Sequence, residues 1–188
     1  MPTGNVNAQS DLVYISNLPP LDTFVDKVKN GQAAELRGIY ISDILAAPIV
    51  QQPIGRNDFI SPWENTVTQF GLTSQFGSIG LLSHNYLAGE SFAYLEEGQE
   101  FYLIYGDGQI STFVVSETLS YQAMEPTNVL SSFVDLENDD LLTAKELFSK
   151  VYNRRGEVIL QTCISSNNDL SWGRLFIIAK PYSHAAQN

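Results

Sequence analysis

The chain has 188 residues, 44% of them hydrophobic and 11% aromatic, the composition of one globular domain with its own core rather than of a disordered segment. Its net charge is −11 and its pI about 4.4, and it has no lysine or arginine cluster. This excludes nucleic acid as an expected partner and disfavours an anionic membrane surface.

The single cysteine, Cys163, rules out an internal disulfide and a multi-thiolate metal site. His84 and His184 are too far apart in sequence to share a helical metal-ligand spacing. Met1 to Ser10 are polar, with neither a basic start nor an apolar stretch, so no signal peptide or membrane anchor is expected in the chain as it stands.

Residues 1–20 read as a loose lead-in with a short apolar patch, Leu12-Val13-Tyr14-Ile15. After Pro19-Pro20, the residues Leu21, Phe24, Val25 and Val28 form an i, i+3, i+4, i+7 stripe closed by Asn30-Gly31. This pattern predicts a short amphipathic helix. Strands are predicted at Gly38–Ile41 and Ala47–Val50, the second irregular because of Pro48 and Pro53. Residues 51–77 carry Phe59, Trp63, Phe70 and Phe76 among glycines and polar residues. They predict loops with aromatic anchors and one helical turn near Trp63–Phe70.

Ser78–Ser83 reads as a buried strand with His84-Asn85 at its end. Glu100–Tyr105 and Gln109–Glu117 form a hairpin across Gly106-Asp107-Gly108, and a further strand covers Thr118–Met124. Asp135, Glu137, Asp139 and Glu146 share the 1, 3, 5, 12 spacing of a calcium loop. Asp140, however, stands where the sharp turn of that loop wants glycine. Thr143 and Glu146 equally form a capping box for a helix from about Ala144 to Tyr152, and the capped helix behind a solvated acidic loop is the preferred reading. Strands Gly156–Cys163 and Gly173–Lys180 close the chain, joined by a polar loop over 164–172. Many short strands without alternating helices favour a closed barrel or a sandwich.

Three residues predicted on strand ends form the candidate chemical set: Cys163, His84 and Arg174. If the last two strands pair antiparallel, Cys163 and Arg174 fall near each other on one side of the sheet. A thiolate is a nucleophile, an imidazole can exchange its proton, and a fixed guanidinium can donate to an oxyanion. No carboxylate adjoins His84 to orient it. Taken singly, each residue has a plainer reading: a buried small hydrophobe, a structural histidine, a solvated arginine.

Leu160-Gln161-Thr162-Cys163, with Arg174 at the head of the next strand, resembles the Leu-Xaa-Thr-Cys motif and essential arginine of the sortases, the cysteine transpeptidases of bacterial cell surfaces. Gly80-Leu81-Leu82-Ser83-His84-Asn85 is similar to that family's apolar strand ending in the catalytic histidine, although Leu82-Ser83 stands where the family often has a small residue and glycine. The likeness runs from about Arg37 to Pro181.

The resemblance implies an all-β fold, an eight-stranded closed β-barrel with short peripheral helices. It forms a single domain over 1–188: an extension with a short helix (1–36), the barrel (37–181) and a tail (182–188). It also implies cleavage of a cell-wall sorting-signal peptide, with an acyl-enzyme on Cys163 resolved by an amine on the cell wall or a pilin subunit. In that scheme His84 is the acid/base, Arg174 the oxyanion or substrate donor, and Thr162, Ser83 and Asn85 are substrate-binding residues. The helix at 144–152 would line the substrate groove. No cofactor is expected, with calcium only weakly suggested, and the location implied is the extracellular face of a bacterial membrane. A hydrolase on the same scaffold, a silent peptide- or glycan-binding barrel and a redox-sensing thiol are the alternatives.

Overall fold

The computed structural model describes residues 17–183; the predicted apolar patch at 12–15, His184 and most of the tail lie outside them. Its ten strands are β1 (Leu36–Ile41), β2 (Leu45–Gln51), β3 (Val67–Phe70), β4 (Ile79–Leu82), β5 (Glu100–Tyr105), β6 (Ile110–Ala123), β7 (Phe133–Asp135), β8 (Leu141–Leu142), β9 (Val158–Ser166) and β10 (Asp169–Pro181). Eight close a barrel in the order β1-β2-β3-β4-β9-β10-β6-β5, with β5 returning to β1. The pairings β2–β3 and β4–β9 are parallel and the rest antiparallel. Strands β7 and β8 extend β6 outside the ring. This is the expected closed eight-stranded barrel with peripheral helices.

Alternation along the strands sorts the side chains. Ile39, Ile49, Leu81, Leu103, Leu160 and Ile177 fill the interior, each contributing about 1.5–3 kcal/mol on burial. Ile159, Phe176, Ile178, Leu119 and Tyr121 face outward beneath helix α2 (Ala144–Tyr152), which buries Leu147, Val151 and Tyr152 against them. Helix α1 (Leu21–Val28) buries Phe24 and Val28 on Ala46 and Ile104. A methyl group at Gly38 would come within 2.9 Å of the Phe24 ring, so the helix sits directly on the strand backbone. The capping box is formed: the Glu146 amide donates to Thr143 Oγ1 at 3.3 Å, and the Thr143 amide donates to Glu146 Oε2 at 2.8 Å.

Four expectations are corrected. Residues 67–70 form strand β3, followed by a 3-10 turn at Gly71–Phe76, where a loop and helical turn were expected. Trp63 is largely exposed and anchors nothing in the core. The two strands expected between Gln109 and Met124 are one, β6, carried past the polar run at Ser116 by a bulge opposite Ile178 and Ala179. The expected 164–172 loop is a continuation of the β9–β10 hairpin, turned at Asn167-Asn168 with φ of 52° and 64°. Both values are positive, as the tightest hairpin turns require, and asparagine tolerates them.

Candidate active site

Within the β9–β10 ladder Cys163 and Arg174 are direct partners. They lie on the outer face with Gln161 and Phe176, at one end of a groove of about 360 Å³. Phe70, Leu82, Phe133, Phe148 and Tyr152 wall this groove, and Asn57, Asp58, Asn128 and Val129 reach it from two loops. Phe70, Phe148 and Tyr152 pack edge-on or tilted against one another. The Tyr152 hydroxyl donates to Gln161 Oε1 on the groove floor. The helix that carries Ala144, Leu147 and Phe148 was readable in sequence from its capping box; Phe70 and Phe133 come from strands too short to show a period.

Arg174 is fixed by its backbone neighbours. Nη1 donates to the carbonyls of Ser171 at 2.8 Å and Gly173 at 2.9 Å, and Nη2 donates to that of Pro126 at 3.2 Å. The guanidinium lies 5.9 Å from the Phe133 ring centroid. Three of its five donors are therefore engaged, leaving two for a ligand. Burial pushes the Cys163 thiol up; the Arg174 charge opposes this and the Asp169 carboxylate adds to it, and the net shift is upward. The Arg174 field alone does not make a resting thiolate.

His84 follows β4, whose parallel register with β9 sets Leu82 beside Gln161. The Ser83 amide continues that pairing by donating to the Gln161 carbonyl at 3.2 Å. His84 lies two residues beyond the end of that ladder, in the turn that leaves β4, and is not among the residues that line the groove. Burial lowers the His84 pKa.

The three substrate-binding candidates lie differently. Ser83 and Thr162 are only 3% and 4% exposed. Ser83 Oγ donates to the Thr66 carbonyl at 3.3 Å, and the Thr162 hydroxyl is buried with no hydrogen-bond partner among the described residues. Asn85 Nδ2 donates to Ser165 Oγ at 2.7 Å and to the Leu170 carbonyl at 2.9 Å, clipping the histidine turn to the β9–β10 hairpin. None of the three lines the groove.

In the acidic segment, Asp135 Oδ2 accepts from Lys150 Nζ at 3.1 Å, and Glu146 is held in the cap. Among the described residues no three or more of His, Cys, Asp and Glu gather as a metal-holding group.

No family model and no curated protein matches the sequence. Solved structures do. Sortase C-1 of Actinomyces oris superposes with a TM-score of 0.54 at 15% identity, over 89% of this chain and 83% of that one. The lid mutant of Streptococcus agalactiae sortase C1 gives 0.51 at 14%, over 87% and 76%. Sortase C1 of Streptococcus suis gives 0.50 at 13%, over 89% and 81%. At such identities the likeness speaks for architecture alone, and on that ground this chain has the sortase fold.

Proposed function

We propose that the protein is a cysteine transpeptidase that cleaves a sorting-signal peptide and passes the acyl group to an amine. The observation that carries this reading is the direct cross-strand pairing of Cys163 with Arg174 at the end of an apolar groove. His84, in the turn just after β4, is assigned as the acid/base by the likeness of the Gly80–Asn85 segment to the sortase histidine strand.

In this reading the peptide lies along the aromatic groove with its scissile carbonyl over Cys163. His84 takes the thiol proton, and the thiolate attacks the carbonyl carbon. The two unengaged N–H groups of Arg174 donate to the oxyanion that develops. The imidazolium returns its proton to the leaving amine, the C–N bond breaks and a thioester remains on Cys163. An incoming amine, on the cell wall or on a pilin subunit, attacks the thioester. His84 removes its proton, the C–S bond breaks and the thiolate is reprotonated. The site of action is the outer face of a bacterial membrane. The scheme as written calls on no metal; Asp135 accepts from Lys150 and Glu146 caps its helix.

Cys163→Ala abolishes peptide cleavage if this reading holds, and native protein alkylates at Cys163 without denaturant. An added amine acceptor gives a ligated product in place of the hydrolysed acid. Acid formation unaffected by any amine would instead make the protein a thiol hydrolase.

A further inference from the structure

His84 is oriented by a ring rather than by a hydrogen bond. Among the described residues neither imidazole nitrogen has a hydrogen-bond partner in the fold, yet the ring lies nearly parallel to that of Tyr86, at 16° and 5.1 Å between centroids. That is the offset-stacked geometry favoured by aromatic pairs.

The turn that creates the stack is over-determined. The His84 carbonyl accepts from the amides of Leu87 at 3.0 Å and Gly89 at 3.1 Å. Asn85, between the two rings, is tied to Ser165 and Leu170 on the neighbouring hairpin. Gly89 closes the turn where a methyl group would come within 2.5 Å of Thr162 Oγ1 and 2.7 Å of the His84 carbonyl. The chain is thus held at both ends of the His84–Gly89 segment, which fixes where Tyr86 can put its ring. Tyr86 is 58% exposed, and among the described residues neither core packing nor a hydrogen bond accounts for its placement.

We propose that Tyr86 is the positioning residue of His84. Its aromatic face sets the plane of the imidazole, the task a hydrogen-bonded carboxylate performs in other nucleophile–histidine pairs. The inference rests on the reading of Cys163 and His84 as a working pair. It requires the flat ring and not the hydroxyl, so phenylalanine substitutes for tyrosine and leucine does not. A face-on ring also favours the imidazolium that forms when the thiol proton is taken.

The test uses iodoacetamide alkylation of Cys163 in the folded full-length protein at neutral pH, which needs no peptide substrate. Four proteins are compared: wild type, His84→Gln, Tyr86→Leu and Tyr86→Phe, with thermal melts confirming that each is folded. The expected result is a drop of roughly five- to ten-fold for His84→Gln and Tyr86→Leu, with Tyr86→Phe within about two-fold of wild type. Proton NMR should show ring-current-shifted His84 imidazole signals in wild type and Tyr86→Phe, and their loss in Tyr86→Leu. If Tyr86→Leu alkylates at the wild-type rate while His84→Gln is slow, or if Tyr86→Phe is as slow as Tyr86→Leu, the positioning role is overturned and the thiol–imidazole pair stands. If His84→Gln alkylates like wild type, the pair itself fails and the inference goes with it.

Discussion

At the scale of single residues, Arg174 illustrates how one side chain is made rigid before any substrate arrives. Its three backbone bonds tie the β9–β10 hairpin to the Pro126 loop, so the remaining donors point in fixed directions. Arg174→Lys replaces a planar fork with a point charge. It is expected to lower the cleavage rate by roughly 10²- to 10³-fold, checked by steady-state kinetics. Asp169 opposes the thiolate, and its Oδ1 accepts from the Ser171 amide at 2.8 Å. Asp169→Asn keeps an acceptor there while removing the charge, so Cys163 should alkylate roughly two- to five-fold faster near neutral pH.

The shifts also set the pH profile. The His84 pKa lies below its ordinary value of about 6.5 and that of Cys163 above the usual thiol value of about 8.5. Between them the pair holds one proton in total, so kcat/KM should form a broad plateau spanning that interval. It should fall below the His84 pKa as a second proton binds, and above the Cys163 pKa as the last one leaves. A narrow bell would contradict the assignment.

At the scale of elements, α2 is both a wall of the groove and the lid of the outer core, held by its cap and by Lys150–Asp135. The Lys150 ammonium also lies 5.4 Å over the Tyr121 ring. Burial pushes the Asp135 carboxyl up, but bonds from the Glu137 amide and the Lys150 ammonium outweigh it and leave the pKa lowered. A lowered folded value means that the stability Asp135 contributes is complete above its unfolded pKa of about 3.9. It is lost as the pH falls through the folded value. Asp135→Asn should therefore cost about 1–3 kcal/mol at neutral pH, with the difference from wild type shrinking in acid. Thr143→Ala should cost about 1 kcal/mol. Denaturant titrations read both.

The same scale explains what the sequence could reveal. The Cys163 strand and the Arg174 strand are long, apolar and bounded by turns, so their pairing and shared face were legible. So was the capping box, because it is a local exchange between two residues. Strand β3, with four residues, and β7, with three, are too short for a period and exist because neighbouring strands pair with them. Phe70 and Phe133 therefore stayed hidden as groove residues. The reach of Asn85 across to Ser165, and the burial of Ser83 and Thr162 on the interior face, follow from register that no local pattern encodes.

At the scale of the whole molecule, the barrel separates two tasks. Its interior is filled with aliphatic side chains and supplies rigidity, while the outer face of β4, β9 and β10 carries the candidate site under α2. With Asp135 and Glu146 committed to structural bonds, calcium or a chelator should leave both the melting temperature and the peptide-cleavage rate unchanged. A calcium-induced rise in melting temperature of several degrees would contradict this use of the acidic loop.

In the proposed reaction Cys163 carries an acyl group between a peptide and an amine. This transfer is tested most directly by incubating the folded protein with a library of sorting-type peptides and analysing it by intact-protein and peptide mass spectrometry. The prediction is a thioester of the N-terminal peptide fragment on Cys163, which an added amine discharges as ligated product. If no peptide leaves an adduct or yields a cleaved product, and the thiol alkylates only after denaturation, Cys163 is a packing residue and no acyl transfer passes through it.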